Sequence, residues 1–292
     1  MYKLLIVISL LLLVSCNEKK DPSKKLSVAV TSYPVYWLVE TISGKSVDII
    51  YNVPEDIDPA FWKPKDSDIA AMQNADLIFI NGATYEKWMS SVELPYSKVV
   101  NTSKDSKNMF IIIKDAEVHE HNGVKNSHDG TDFNIWLDAY IFSRQADEVL
   151  KQLIKLKPEK TEEFTKNHKS LVEDVKTVFM EINKVTGKQK QFFASHPVYD
   201  YLARANGWKL KNFHWEPEAM PSEEEWVKFK ESLSHSKYML YEDQPSLAIS
   251  EKLKSLGVKV IVFRTAGKTP PTKDLVKEMK NNLENLKKAL SP

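Results

Sequence analysis

The chain has 292 residues, of which 42% are hydrophobic and 28% charged, as expected for a folded protein of about two domains. Its 41 Lys and Arg residues nearly balance 40 Asp and Glu residues, giving a formal net charge of +1. With no basic patch beyond the N-terminus, this balance excludes the electrostatic pattern of a nucleic-acid-binding protein.

The N-terminus has the pattern of a bacterial lipoprotein signal in residues 1–16. Lys3 precedes an apolar run over 4–14 that is too short to span a bilayer. The run ends in "LVSC", which resembles a lipobox in which Cys16 is lipidated; an ordinary secretory signal with a chance cysteine is the alternative. Because Cys16 is the only cysteine, the folded part has no disulfide and no thiolate metal ligand. The polar, Lys-rich residues 17–25 read as a flexible tether.

The first half of the folded chain alternates between strand and helix patterns. Helices are predicted over 33–43, where Gly44 can end the helix, and from an N-cap at Asp66 or Ser67 to Asn74. Strands are predicted at 26–31, 47–53, 76–80, 98–101 and 109–114. Strands separated by helices favour a parallel sheet.

A longer helical pattern follows. Apolar residues recur at spacings of three and four, with His168 in one slot of the stripe, and this predicts an amphipathic helix over about 160–185 that Gly187 can end. We assign 160–186 to a linking helix, 26–159 to an N-terminal lobe and 187–292 to a C-terminal lobe. His168 is interpreted as a packed residue of that helix.

The second lobe repeats the alternating pattern. Strands are predicted at 191–195, 238–241 and 258–263. Helices are predicted at 197–206, after a capping box at Ser222 and Glu225, at 245–256 and at 272–290. The predicted fold is α/β, with two lobes that are each a parallel sheet flanked by helices, joined by one long helix. Ligands of such sheets bind at the carboxyl ends of the strands, which places a cleft between the lobes.

Polar and aromatic residues follow several predicted strands. On the N-terminal side these include Asn81, after strand 76–80, and Trp62, in the turn after strand 47–53. On the C-terminal side they are His196, Glu242, Asp243 and Arg264. Trp62 and Trp215 are most simply core residues, but they would make an aromatic pocket if they lined the cleft.

Five stretches together resemble the zinc/manganese-type substrate-binding lipoproteins of bacterial ABC importers, in the right order over nearly the whole mature chain. They are "VTSYPVYWLVETISGKSVDI", "DPAFWKPKDSDIAAMQNADLIFINGATYEKWM", "IWLDAYIFSRQADEV", "HPVYDYLARANGW" and "VKEMKNNLENLKKAL". The resemblance implies two α/β lobes bridged by one rigid helix. It also implies capture of a divalent metal, Zn²⁺ or Mn²⁺, outside the cytoplasmic membrane and its delivery to a membrane permease.

The metal ligands that the resemblance implies are mostly replaced here. The first two histidine positions hold Ala60 and Asn134, the third is His196, and the acidic fourth position holds Arg264. Zinc needs about four donors at short range, and Ala60 offers none. A guanidinium ~5 Å from a divalent ion, at an effective dielectric of ~20, repels it by roughly 6 kcal/mol, or about four orders of magnitude of affinity. Glu242 could offset this by pairing with Arg264 or by acting as a ligand. The predicted metal residues are therefore His196, Glu242 and Asn134.

Three of the seven histidines, His119, His121 and His128, fall in the stretch "VHEHNGVKNSHDG". Its Asn-Gly and Asp-Gly pairs indicate a loop. The stretch resembles a short version of the His- and acid-rich loop of zinc-specific family members, and we predict an accessory metal-gathering role. A solvated loop with chance histidines is the alternative. Of the other histidines, His214 and His235 are interpreted as surface or loop residues, although His214 can reach the cleft.

Three functions are consistent with these patterns. The first is a membrane-anchored, extracytoplasmic lipoprotein that passes a metal to an ABC permease. The second uses the same scaffold for a metal chelate or small organic anion, contacted by Arg264, Trp62 and Asn81. The third is a surface interaction lipoprotein without a small ligand. The motifs G-x-S-x-G, H-E-x-x-H and the P-loop are missing from the sequence, so we do not predict an enzyme.

Overall fold

The computed structural model describes residues 25–55, 57, 60, 62–113, 119–121, 124–126 and 130–291. Four parallel strands form the N-terminal sheet in the order β2-β1-β3-β4. They are β1 (Ser27–Val30), β2 (Asp48–Ile50), β3 (Leu77–Ile80) and β4 (Val99–Asn101). Apart from Ser27 at the start of β1, the two central strands are apolar, because helices or loops cover both faces of a parallel sheet.

Alternate side chains of this sheet enter two different hydrophobic clusters. Val28 and Phe79 pack on the side of α1 (Tyr33–Ser43), whereas Ala29 and Ile78 pack on the side of α2 (Asp66–Asn74). This division follows from the two-residue period of a strand. The sheet therefore leaves only its ends for polar function.

Short strands follow the first sheet. β5 (Ile112–Ile113) pairs antiparallel with β8 (Gly130–Thr131), and β6 (His119–His121) with β7 (Val124–Asn126). The prediction of a strand over 109–114 is therefore wrong in extent and in partner. Ile112 is largely exposed, so this apolar run does not extend the buried parallel sheet.

Two long helices come next. Asp138 caps α3 (Ala139–Leu156) by accepting hydrogen bonds from the backbone N–H groups of its first turn. α4 (Thr161–Thr186) packs against α1, α3 and α8 (Leu275–Leu290). The predicted apolar stripe of α4 is buried, and His168 Nε2 lies 2.9 Å from Asp147 Oδ1. The helix is thus in contact with both lobes along its length.

The C-terminal sheet has the strand order β10-β9-β11-β12, again all parallel. Its strands are β9 (Gln191–Ala194), β10 (Lys209–Asn212), β11 (Tyr238–Tyr241) and β12 (Lys259–Val262). The remaining helices are α5 (Asp200–Asn206), α6 (Glu223–Glu231) and α7 (Leu247–Ser255). The two parallel sheets and the long helix between them confirm the predicted fold class.

Some details of this lobe differ from the predictions; for example, α8 begins three residues later than predicted. Strand β10 was not predicted, because "KLKN" has two lysines and no apolar run. α5 begins three residues later than predicted, since the backbone N–H of Val198 bonds the carbonyl of His196 at 2.9 Å in a tight turn. The differences at β10 and α5 shape the loops that leave β9 and β10.

Direct contacts join the lobes beside the cleft. The Tyr201 hydroxyl accepts a hydrogen bond from the Ile111 N–H (3.0 Å) and donates one to the Asp132 carbonyl (2.9 Å). Arg204 Nη2 lies 2.9 Å from Asp138 Oδ2. Trp136 Nε1 donates to the Thr265 carbonyl at 2.7 Å. We call these three the inter-lobe contacts.

No helix in the part of the chain that the structure describes is long and apolar enough to cross a membrane.

Candidate metal-binding cleft

The register of β9 and β10 brings His196 and His214 together. Ala194 of β9 pairs with Asn212 of β10. His196 follows Ala194 by two residues, and His214 follows Asn212 by two residues. Backbone hydrogen bonds continue the pairing past the strands, from Phe213 N to Ala194 O (2.9 Å) and from Trp215 N to Ser195 O (2.8 Å). The two imidazole rings accordingly lie 5.7 Å apart between centroids and nearly perpendicular, at 82°.

The alternation of side chains after β10 adds a carboxylate to this place. Phe213 and Trp215 point into the aromatic cluster around Phe229. In an extended chain the residues between and beyond them face the other way, and this is where His214 and Glu216 lie. Glu216 Oε1 is 3.8 Å from His196 Nδ1. The carboxyl edge of the C-terminal sheet therefore gathers two imidazoles and one carboxylate.

Arg264 is held by acidic partners of its own lobe. Its Nη2 lies 2.7 Å from Asp243 Oδ1 and its Nη1 lies 3.5 Å from Glu278 Oε1. Glu242 instead accepts a hydrogen bond from Thr265 Oγ1 at 3.0 Å. The suggested pairing of Arg264 with Glu242 is thus corrected to Asp243 and Glu278. Two carboxylates offset the guanidinium, which reduces both the predicted repulsion of a cation and the suitability of Arg264 as counter-ion for an organic anion.

Asn81 belongs to the core of the N-terminal lobe and does not line the cleft. It is fully buried, its Nδ2 donates to the carbonyls of Gly82 and Phe133, and its Oδ1 accepts from Gln145 Nε2 at 3.2 Å. The prediction of Asn81 as a ligand contact is therefore wrong, because its amide is already hydrogen-bonded within the lobe.

Two tryptophans also lie away from the cleft. Trp62 packs edge-to-face on Trp88, 5.9 Å between centroids, in the cluster on the α2 side of its sheet. Trp215 packs on Trp226 at 4.7 Å in the corresponding cluster of the other lobe. An aromatic wall made of Trp62 and Trp215 is therefore not present. Both rings are buried because their loops fold back over the sheets.

Asn134 is held by a buried carboxyl group. Its backbone N–H and its Nδ2 both donate to Asp132 Oδ1 at 2.9 Å. The side-chain oxygen Oδ1 of Asn134 is then the only atom of the amide that a cation can use. Burial raises the pKa of Asp132 from its usual 3.8 to about 7, although the hydrogen bonds from Asn134 oppose this shift.

The stability of the protein is expected to depend on pH through Asp132. The folded-state pKa lies above the unfolded one, so the stability from the protonated carboxyl is complete below about pH 4 and is lost as pH rises through about 7. Relative to Asp132→Asn, the wild type should lose about 2.5 kcal/mol of unfolding free energy between roughly pH 5 and pH 8. Urea denaturation at both pH values measures this, and parallel pH dependences would contradict it.

Other predicted positions contribute little that the structure can describe. Ala60 is buried at the first implied ligand position and carries no donor atom. Cys16, His128 and the side chains of His119 and His121 lie outside the described residues. Across the described ranges, no three His, Cys, Asp or Glu side chains stand as a ready metal-binding group.

The fold is shared with solved metal-binding proteins. The metal-dependent lipoprotein YcdH from Bacillus subtilis superposes with a TM-score of 0.75 at 25% identity, over 90% of this chain and 98% of that one. The Zn(II)-bound ZnuA-like domain of Streptococcus pneumoniae AdcA gives 0.74 at 21% identity, over 91% and 98%. Two parallel sheets and one long helix between them are the two-lobed fold that this chain shares with these proteins.

The profile of the family "Zinc-uptake complex component A periplasmic" matches residues 28–289, so the chain belongs to this family. The zinc uptake protein ZnuA of Bacillus subtilis is 28% identical, over 94% of this chain and 90% of its own length. The zinc-binding lipoprotein AdcA of Streptococcus pneumoniae (strain R6) is 26% identical, over 95% of this chain but only 58% of AdcA. The predicted resemblance is confirmed, and the family consists of substrate-binding proteins for metal transport and not of enzymes.

Glu216 was not predicted, and His214 was placed at the surface with only an option to reach the cleft. The signal was present in "FHWE", where two aromatic residues alternate with two metal-binding residue types. Such alternation is typical of an extended segment with one buried face. This signal could not locate the site, because β10 was not predicted. The pairing of β10 with β9 is what places His214 and Glu216 beside the loop that carries His196.

Proposed function

We propose that the chain is the extracytoplasmic substrate-binding lipoprotein of an ABC importer and that it captures a zinc-type divalent cation. The observation that carries this proposal is His196, kept at the end of β9, with a second imidazole and a carboxylate beside it. Imidazole and carboxylate donors suit zinc. Zinc is also what the names of the relatives ZnuA and AdcA state for those proteins.

The inherited metal site is degenerate in this proposal. Ala60 provides no donor, Asn134 provides only a carbonyl oxygen, and Arg264 replaces an acid. His196 remains the central ligand, with Glu242 and Asn134 as further candidates. Because its guanidinium is offset by two carboxylates, Arg264 does not by itself prevent cation binding.

The domain organisation is part of the same proposal. Residues 1–16 are the signal peptide, with Cys16 as lipidation site, and 17–25 tether the protein to the membrane. The N-terminal lobe covers 26–159, the linking helix 160–186 and the C-terminal lobe 187–292. A membrane permease receives the metal from the cleft.

The histidine stretch has an accessory role in this proposal. The backbones of β6 and β7 pair antiparallel within it, with His119 opposite Asn126 and His121 opposite Val124. A hairpin of this kind can carry histidines at the entrance to a metal site. We assign His119, His121 and His128 to the gathering of metal and not to its final binding.

Zinc calorimetry tests the function. We expect one Zn²⁺ per chain. His196→Ala should weaken zinc binding at least tenfold, because it removes the central metal ligand. His168→Ala serves as control and should bind as the wild type does, because His168 lies on the linking helix, where its ring contacts Asp147 of α3. No zinc or manganese uptake by the wild-type protein would refute the proposal.

A further inference from the structure

We propose that His196, His214 and Glu216 together form the metal site of this chain, so that all three protein donors come from the C-terminal lobe. This inference rests on the proposed function and names the residues that replace the lost ligands. We call the three residues the C-lobe donor set. Two histidines and one glutamate with an open fourth position make a recurrent zinc coordination.

The separation of His196 and Glu216 is close to that of two ligands of one metal ion. Donors bound at about 2.0–2.2 Å around tetrahedral zinc lie roughly 3.3 Å from each other. His196 Nδ1 and Glu216 Oε1 are 3.8 Å apart, so about half an ångström separates them from that geometry. The described side chains do not yet stand as a closed three-donor group. A rotation of the Glu216 side chain would close it, since that side chain is 41% exposed while that of His196 is 8% exposed.

The backbone keeps the C-lobe donor set in place. The hydrogen bond from Trp215 N to Ser195 O (2.8 Å) ties together the two loops that carry the donors. Trp215, between His214 and Glu216, is 2% exposed and anchored among aromatic rings. Both neighbours of an anchored residue in extended backbone have a fixed direction. Metal binding therefore has to fix only the rotation of these side chains and not the backbone. The smaller loss of conformational freedom favours affinity.

The C-lobe donor set contains the same chemical types of ligand that are missing from the implied ligand positions. Two histidine positions have become Ala60 and Asn134, and the acidic position has become Arg264. His214 supplies an imidazole and Glu216 supplies a negative charge, which are the two chemical types that were lost. These donors follow β10, whereas the implied ligand positions follow other strands. The site has therefore moved along the sheet edge while keeping His196 as its fixed point.

Metal titration of the full chain with Zn²⁺, and separately with Co²⁺, tests this inference. His214→Ala and Glu216→Gln should each weaken Zn²⁺ binding at least tenfold and should reduce the visible absorption of bound Co²⁺, which reports its coordination. Glu218→Gln, an exposed glutamate two residues further on, is the matched control and should stay within twofold of the wild type.

The outcomes separate the inference from the proposed function. If zinc binds to the wild type and is weakened by His196→Ala but not by His214→Ala or Glu216→Gln, the C-lobe donor set is refuted and the function stands. If the wild type binds neither zinc nor manganese, both are refuted. Should His214→Ala fail to fold, Glu216→Gln decides alone, because its half-exposed side chain is replaced by one of the same shape.

Discussion

Glu86→Ala is expected to destabilise the protein by about 4 kcal/mol. The buried carboxylate of Glu86 accepts hydrogen bonds from Thr31 Oγ1 (2.6 Å), Asn81 N (2.7 Å) and Gly82 N (3.1 Å). Alanine leaves the backbone N–H groups of Asn81 and Gly82 without this acceptor and leaves Thr31 Oγ1 only the Phe79 carbonyl, at 3.5 Å. Each buried donor that loses its acceptor costs about 1–3 kcal/mol. Urea denaturation of the variant and the wild type measures the difference.

The backbone around Gly82 explains why Glu86 matters. Gly82, Ala83 and Thr84 all have positive φ, at 77°, 51° and 62°, a conformation that costs energy for residues other than glycine. The carboxylate accepts hydrogen bonds from the N–H of Gly82 and from the N–H of the preceding residue, Asn81, and so holds the start of this turn. Glu173→Ala, on the exposed side of α4, is the control and should change stability by less than about 0.5 kcal/mol. Equal effects of the two substitutions would show that these hydrogen bonds do not support the lobe.

Arg264→Met is expected to cost about 3 kcal/mol of stability, because it leaves Glu278 as a buried charge without its partner. Glu278 is only 1% exposed and its remaining hydrogen bond comes from Thr272 Oγ1 at 2.9 Å. Adding Glu278→Gln to Arg264→Met should recover most of the loss. Denaturation of both single variants and of the double variant gives the coupling energy.

This cycle also distinguishes the two roles considered for Arg264. A structural partner of Glu278 gives a coupling of about 1 kcal/mol or more. An arginine reserved for an organic anion gives little coupling, and its removal leaves stability unchanged. The second pattern would reinstate the counter-ion role that the observed ion pairs argue against.

Much of the fold was predictable because its central strands are continuous apolar runs. The last three residues of "LIFI", "QFFA" and "YMLY" are buried on both faces, and burial of this kind is visible in sequence. The stripe of α4 was visible for the same reason, from its helical period. β10 was not, because an edge strand such as "KLKN" alternates polar and apolar residues and has only one neighbour.

The site was harder to predict, because its contacts are made between distant segments. Nothing in the spacing of Arg264 and Glu278 shows that a helix returns to pair with the guanidinium. Trp62 could be read as core or as cleft wall, since a tryptophan after a strand has no pattern that fixes its layer. His196 was predictable from its place at a strand end, whereas Glu216 needed the register of two strands.

The inter-lobe contacts bear on how a membrane partner recognises the loaded protein. One phenol, that of Tyr201, bonds backbone groups of the other lobe as both acceptor and donor. On the same helix, Arg204 forms an ion pair with Asp138, the N-cap residue of α3 in the other lobe. We expect lobes fastened in this way to resist a clamshell motion, so that the outline presented to the permease is nearly the same with and without cargo. What changes on loading is the local charge at the mouth of the cleft, where a divalent ion adds two positive charges. We therefore expect the permease to sense cargo as an electrostatic difference and not as a change of shape.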